Sequence, residues 1–161
     1  MIFAQPNGAT VTALDSRPDR LGFCTHSLNV SHGVCLGEDD TEQLVQRTEN
    51  ECFDVMFDAT RNPAPMERGF GFVAHGGTCV LLSIVGARIS FSDPEFHKRE
   101  MTLMGSRNAT TEDFTTVLDA MRASLIPQTH NTHRLALSDV PTRLQDLLDP
   151  KAGMIKATIE C

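Results

Sequence analysis

Short apolar runs alternate with amphipathic segments along this chain. Residues 9–14 (ATVTAL) are rich in β-branched side chains, and the segment after them places Leu21, Cys24 and Leu28 at helical spacing. Residues 53–59 (FDVMFDA) are apolar through most of their length, as expected for a strand that is covered on both faces. The pattern therefore predicts units in which a strand is followed by a helix.

The same pattern predicts where the elements begin and end. Asn62 and Pro63 predict a capped helix start, and residues 75–77 (HGG) predict the end of that helix. Residues 91–110 are expected to hold a strand end, a short helix with an acidic cap, a buried strand and a turn. The predicted strands are residues 9–14, 33–36, 53–59, 78–85, 133–137 and 154–160, and the predicted longer helices are residues 16–28, 41–47, 63–73, 111–123 and 139–148.

Alternating strands and helices imply βαβ units with right-handed crossovers. We therefore predict an α/β fold with a mostly parallel sheet. A chain of 161 residues is long enough for one domain with its own core, so residues 1–161 are expected to form a single domain.

Charge and composition exclude several classes of protein. The net charge of -7 and the scattered basic residues disfavour nucleic-acid binding. The start MIFAQPNGA has no basic segment and is interrupted by Pro6, so it is typical of neither a signal peptide nor a membrane span, and a cytoplasmic location is expected. The cysteines are odd in number and widely spaced, which favours reduced thiols: Cys24, Cys35, Cys52, Cys79 and Cys161.

The histidines do not form a metal-ligand pattern. His130 and His133 are three residues apart, but no cysteine or acid completes a ligand set beside them. His97 and Glu100 lie at helical spacing and are interpreted as a surface pair. No metal ligands are predicted in this chain.

One acid follows the first predicted strand. A dinucleotide-binding unit normally opens with a strand, a GxGxxG turn and a helix that together hold the pyrophosphate. The sequence contains no GxGxxG turn. If the first predicted strand of this chain corresponds to the second strand of such a unit, Asp15 stands at the position of the acid that binds the adenosine ribose. An aspartate at a strand end is otherwise more often the cap of the next helix, and the residue pattern allows both interpretations.

Residues 91–110 read FSDPEFHKREMTLMGSRNAT. This segment resembles the cofactor-domain signature of medium-chain, zinc-type alcohol dehydrogenases, in particular the branch acting on polyols and sugar acids, such as the L-galactonate 5-dehydrogenases and sorbitol-dehydrogenase-like enzymes. The resemblance implies a Rossmann-like sheet that lacks its first strand and its glycine-rich turn. It also implies a truncated C-terminal cofactor domain, in which the strand at residues 154–160 belongs to the catalytic domain of full-length relatives.

The resemblance implies NAD as the cofactor. It places Asp15 at the adenosine ribose and Arg20 beside the adenine. An acid in this position repels a 2′-phosphate and so favours NAD over NADP, a preference that Arg17 weakens. A solvated helix face is the alternative interpretation of both arginines.

Two further segments are implied to approach the cofactor. DATRNP resembles a turn that reads DATGNP in the family, which implies a contact at Thr60. Arg61 stands in place of that glycine, and glycine serves where the chain needs a positive φ or a close ligand approach. In LLSIV, Ser83, Ile84 and Val85 are implied to meet the nicotinamide mainly through their backbone, and they are also expected to be core strand residues. Because the glycine-rich pyrophosphate turn is missing and Arg61 intrudes on the neighbouring turn, NAD binding by this chain is expected to be weak or lost.

The resemblance also implies a substrate contact. Arg107 and Asn108 correspond to a turn that reaches the nicotinamide and the substrate, and a guanidinium suits recognition of a sugar-acid carboxylate. An ordinary surface arginine is the alternative interpretation of Arg107. Zinc in full-length relatives is held by cysteine, histidine and glutamate of an N-terminal domain, which implies no zinc ligands in this chain.

The expected function is that of the nucleotide-binding portion of an NAD-dependent, zinc-type oxidoreductase acting on a secondary alcohol, inactive as this isolated chain. The alternative is a non-enzymatic interaction module that dimerises with a full-length dehydrogenase. Residues 88–91 (RISF) resemble the short strand through which such dehydrogenases pair, so they are the expected contact for a homo-oligomer. A methyltransferase-like domain is a weaker third possibility, since it would need a glycine-rich loop of its own.

Overall fold

A computed structural model describes residues 1–161, apart from the side chains of residues 128 and 150. The strands are β1 (Thr12–Asp15), β2 (His32–Cys35), β3 (Phe53–Asp58), β4 (Val73–Leu81), β5 (Thr102–Gly105), β6 (His133–Ala136) and β7 (Ala157–Glu160). The α-helices are α1 (Pro18–Ser27), α2 (Asp40–Gln46), α3 (Pro63–Gly69), α4 (Asp93–Lys98), α5 (Thr111–Arg122) and α6 (Val140–Leu148). Short 3₁₀ helices cover Gln5–Asn7, Phe70–Phe72, Gln128–His130, Leu137–Asp139 and Pro150–Ala152.

The chain forms two compact units. The first unit contains Met1–Gly37 and Thr111–Cys161, and the second contains Glu38–Thr110. Every strand pair recorded in the described residues is parallel, so the predicted α/β class with parallel sheets is confirmed. None of the helices in the part of the chain that the structure describes has the length and apolar character of a membrane span.

In the first unit, β1 pairs in parallel with β2, and α1 connects them. The helical spacing predicted a buried stripe, and Leu21 packs with Ala13 and Val30 in a core that Cys24 and Leu28 extend. A second parallel pair, β6 with β7, is connected by α6. The β-strand, helix, β-strand order predicted from periodicity is therefore present in both parts of this unit.

In the second unit, β3, β4 and β5 form a parallel sheet with β4 in the centre. Val73 and Cys79 of β4 pack with Phe70 and Met101 in the core of this unit. Because the strands are parallel, their carboxyl ends meet at one edge of the sheet. Loops that follow β3, β4 and β5 start from this edge, which we call the carboxyl edge.

The prediction that HGG ends the third helix was wrong. The helix ends at Gly69, and residues 75–77 lie inside β4. Between the Phe53–Val73 and Val55–Thr78 pairs the register shifts, so residues 74–77 of β4 stand opposite Asp54 alone. Glycines in such a position form a bulge, and Gly76 adopts a φ of 72° there.

Two predictions of burial were also wrong. Val55 and Phe57 of β3 are 49% and 60% exposed, and all four residues of β5 are exposed, although both strands were expected to be buried. Residues paired across parallel strands share a face, so Phe57, Val80 and Met104 lie on the face opposite to that of the core residue Cys79. The continuous apolar pattern therefore indicated the residue types correctly but not the cover on the second face.

Candidate functional site

The first group of predicted site residues lies at the end of β1. Asp15 is the last residue of the strand, and its Oδ1 accepts a hydrogen bond of 2.9 Å from the backbone N–H of Arg17. This is a turn closed by an aspartate side chain, placed just before α1. In the described residues no hydrogen bond reaches Oδ2 of Asp15, so one carboxylate oxygen holds the turn and the other is available to a ligand.

Asp15 is followed by three charged side chains, those of Arg17, Asp19 and Arg20. The guanidinium of Arg17 binds Asp19, with an Nη2–Oδ2 distance of 2.6 Å, and this contact lowers the pKa of Asp19. Arg20 is exposed on the first turn of α1. Burial first, and then the negative charge of Asp15, raise the pKa of the Cys24 thiol. The charge of Asp15 thus adds to burial in keeping the Cys24 thiol protonated.

The second group lies at the carboxyl edge of the three-stranded sheet. The Oδ1 of Asp58 accepts from Thr60 N at 3.1 Å and from Thr60 Oγ1 at 3.1 Å, and Asp58 Oδ2 lies 3.0 Å from Thr60 Oγ1. Ser83 Oγ donates to the same carboxylate at 3.2 Å. Thr60 and Ser83, two predicted cofactor contacts, are therefore held together by one acid that sequence reasoning did not select.

The turn between them has the geometry that glycine favours. Arg61 adopts a φ of 54°, and its backbone N–H donates to Ser83 Oγ at 3.1 Å. Asn62 Oδ1 accepts from Ala64 N at 3.2 Å, which confirms the predicted cap at the start of α3. A positive φ at Arg61 supports the interpretation that this position belongs to a conformation usually given to glycine.

The remaining predicted contacts lie in irregular segments. β4 ends at Leu81, earlier than predicted, so Ser83, Ile84 and Val85 follow the strand rather than belonging to it. Ile84 is 75% exposed.

Arg107 and Asn108 follow β5 in an exposed turn, where Asn108 has a φ of 66°. The N–H of Ser106 donates to the carbonyl of Leu81 at 3.0 Å, so this turn starts beside the segment that follows β4. The structure thus brings the loops after β3, β4 and β5 to the same edge.

Residues 88–91 do not form a strand within the chain. The carboxylate of Glu67 accepts hydrogen bonds from both the backbone N–H and the hydroxyl of Ser90, at 2.9 and 2.8 Å, which lowers the pKa of Glu67. The ring of Phe91 lies between those of Phe70 and Phe96, with centroid distances of 5.0 and 5.1 Å. Pairing between copies through this segment stays a prediction.

The described side chains contain no group of three or more histidine, cysteine or acidic residues arranged to hold a metal ion. His97 contacts Asp93 with an Nε2–Oδ1 distance of 3.4 Å, instead of pairing with Glu100 as predicted. His130 Nδ1 lies 2.8 Å from the carbonyl oxygen of Pro127, and His133 Nδ1 lies 2.9 Å from Thr132 Oγ1. These residues do not fit a zinc site.

The missed residue Asp58 had a signal in the sequence. It is an acid at the end of an apolar strand, followed two residues later by threonine, a pattern typical of a turn closed by an aspartate side chain. Asp15 ends β1 in the same way and accepts from the residue two positions later. Only the link to Ser83, which is 25 residues away, required the fold.

Comparison with known proteins identifies relatives. The family model for zinc-binding dehydrogenases matches residues 1–123. L-galactonate-5-dehydrogenase of Escherichia coli (strain K12) is 38% identical over 114 residues, which are 71% of this chain and 34% of that protein. The chain therefore spans about a third of the length of this curated relative.

Solved structures share the fold. 2R,3R-butanediol dehydrogenase from Bacillus subtilis has a TM-score of 0.85 and 19% identity, covering 99% of this chain and 46% of its own. L-idonate 5-dehydrogenase from Escherichia coli K-12 has a TM-score of 0.80 and 20% identity, covering 95% of this chain and 43% of its own. A short chain alcohol dehydrogenase from Escherichia coli CFT073 was solved in complex with the cofactor NADH. It has a TM-score of 0.86 and 16% identity, and the match covers 99% of this chain and 47% of that chain.

Proposed function

Because the chain belongs to the zinc-binding dehydrogenase family, we propose that it is the nucleotide-binding portion of an NAD-dependent oxidoreductase acting on a secondary alcohol of a polyol or a sugar acid. The observation that carries this proposal is the 38% identity to L-galactonate-5-dehydrogenase over 71% of the chain. The predicted family is confirmed by the match, whereas the activity, the substrate and the residue roles are proposals.

Asp15 is proposed to accept hydrogen bonds from the adenosine ribose. Its position at the carboxyl end of β1 supports this role, as does the oxygen that the Arg17 turn leaves available. Arg17 is paired with Asp19, so its charge is partly neutralised and the preference for NAD over NADP is expected to follow Asp15. Arg20 is proposed to flank the adenine.

Thr60 and residues 83–85 are proposed to meet the nicotinamide end, mainly through their backbone. When bound, NAD would accept the hydride from the alcohol carbon. Support comes from the hydrogen bonds that hold Thr60 and Ser83 at the carboxyl edge, because ligands of open parallel sheets bind outside the carboxyl ends of the strands.

Arg107 and Asn108 are proposed to bind the substrate. Both are exposed in the turn after β5, and an arginine fork matches a carboxylate better than a neutral hydroxyl. This arrangement favours a sugar acid over a neutral polyol.

For the 161-residue chain by itself we expect weak or no NAD binding and no turnover. Arg61 carries a charged side chain at a φ of 54°, in a turn that the family resemblance places beside the cofactor. Zinc in the full enzyme would be held by residues other than those described. A cytoplasmic location remains the expectation.

The test is calorimetric titration of the chain with NAD and with NADH. We expect weak or undetectable binding, with any residual heat reduced in Asp15→Ala and retained in the surface control Glu112→Ala. Micromolar affinity would contradict the expected weakness. Residual affinity that is unchanged in Asp15→Ala would contradict the proposed ribose contact.

A further inference from the structure

Asp58 is a buried acid with uncharged partners. It ends β3 and is only 4% exposed. Its carboxylate accepts from Thr60 N, Thr60 Oγ1 and Ser83 Oγ at 3.0–3.2 Å. The ion pairs of the described residues do not include it. A buried charge is costly unless it is hydrogen-bonded, so these neutral donors must keep their positions for Asp58 to stay buried.

The hydrogen bonds of Asp58 join two loops that are distant in sequence. Thr60 belongs to the loop after β3, and Ser83 belongs to the loop after β4, 25 residues from Asp58. Ser83 Oγ also accepts from the N–H of Arg61, which returns the link to the first loop. The carbonyl of Asp58 accepts from Leu82 N at 2.8 Å. Asp58 therefore fixes the spacing of both loops through its side chain and its backbone.

The direction of these bonds determines what a ligand would meet. An ionised carboxylate can only accept, so the hydroxyl hydrogens of Thr60 and Ser83 point toward Asp58. The hydroxyl oxygens in turn accept from Asn62 N at 3.3 Å and from Arg61 N at 3.1 Å. The single hydrogen of each hydroxyl is thus used inside the protein and cannot be donated to a ligand. A ligand at the carboxyl edge would meet the backbone of these loops, whose position depends on Asp58.

We propose that Asp58 is a positioning residue for the two loops that face the nicotinamide, acting through Thr60 and Ser83 without touching the cofactor. This inference rests on the function proposed above. Backbone contacts cannot adjust by side-chain rotation, and a displacement of about 1 Å can reduce the rate of a reaction by about 100-fold. Loss of the links through Thr60 and Ser83 is therefore expected to weaken binding of the nicotinamide end.

The experiment compares Ser83→Ala, Ser83→Thr and Asp58→Asn in the 161-residue chain by amide hydrogen exchange and urea unfolding. Ser83→Ala removes the side-chain link between the loops and keeps the backbone bond from Leu82 to Asp58, so the exchange rate of the Arg61 amide should rise about tenfold, the effect of losing one hydrogen bond. Ser83→Thr keeps a hydroxyl and should restore protection. Asp58→Asn keeps one oxygen as an acceptor and turns the other into a donor, which disturbs the hydroxyls of Thr60 and Ser83, so protection of the Arg61 amide should fall. If that variant does not fold, the two Ser83 variants still decide the question.

A second measurement separates this inference from the proposed function. The amide resonances of Thr60 and residues 83–85 are followed in the Arg61→Gly background during titration with NADH to millimolar concentration. We expect shifts that weaken in Ser83→Ala and return in Ser83→Thr, with both variants still folded in the urea measurement. Shifts and exchange that are identical in Ser83→Ala would overturn the role of Asp58 alone. No shifts even before the Ser83 change would contradict the proposed contact of Thr60 and residues 83–85 with the nicotinamide end, and the positioning role with it.

Discussion

Arg61 offers a test of whether the turn after β3 keeps a conformation suited to glycine. Its φ of 54° lies in the left-handed region, which costs a residue other than glycine roughly 1–2 kcal/mol. Arg61→Gly removes that cost, but glycine loses about 0.5–1 kcal/mol through the greater freedom of the unfolded chain. We therefore expect Arg61→Gly to stabilise the chain by about 0.5–1 kcal/mol.

Arg61→Ala is the matched control because it removes the guanidinium and keeps a Cβ in the same backbone conformation. Its free energy of unfolding should stay within about 0.5 kcal/mol of the parent, the usual range for surface changes. Urea unfolding followed by circular dichroism measures all three proteins. Equal stability of the glycine and alanine variants would refute the reasoning, because the backbone conformation would then carry no cost.

Three further predictions concern the second unit. A Cβ at Gly77 would lie 2.9 Å from the carbonyl of Ala74 and 3.0 Å from that of Asp54, so Gly77→Ala should destabilise the chain by about 2 kcal/mol in urea unfolding, while a change at an open glycine should not. Burial, and then the charge of Asp58, raise the pKa of Cys79 from 9.0 to about 11. The stability that comes from keeping this thiol neutral is present below pH 9, and roughly 2–3 kcal/mol of it is lost as the pH rises toward 11. In Cys79→Ala the urea midpoint should therefore change less with pH in the alkaline range. Arg68→Met removes the guanidinium that binds the buried carboxylate of Asp40, and it should lower the free energy of unfolding by about 3 kcal/mol. This value is near the low end for a buried pair because the Arg68 side chain is 40% exposed. An unchanged urea midpoint would contradict this prediction.

Local signals predicted the elements that depend on neighbours in sequence. The helical spacing of Leu21, Cys24 and Leu28 gave α1 and its buried face, and Asn62 with Pro63 gave the start of α3. These predictions succeeded because caps and amphipathic stripes are formed by residues within a few positions of one another.

The predictions that failed depended on distant parts of the chain. HGG was expected to end a helix, but it forms a bulge in β4 because β4 pairs with β3, which lies about twenty residues earlier. The link between Asp58 and Ser83 likewise follows from the pairing of Asp58 with Leu81 across the two strands. Strand register and cover on the second face of a sheet are set by tertiary contacts, which periodicity does not encode.

The central claim is that this chain supplies the nucleotide-binding portion of a sugar-acid or polyol dehydrogenase. Its most direct test joins residues 9–161, with Arg61→Gly, to the N-terminal part of Escherichia coli L-galactonate-5-dehydrogenase and measures NAD reduction on a sugar acid and on a neutral polyol. We predict NAD reduction that is lost in Asp15→Ala. In Arg107→Lys, kcat/KM on the acid should fall by the equivalent of about 1.5–3 kcal/mol, with a much smaller loss on the polyol. A folded chimera that neither binds nor reduces NAD would contradict the claim.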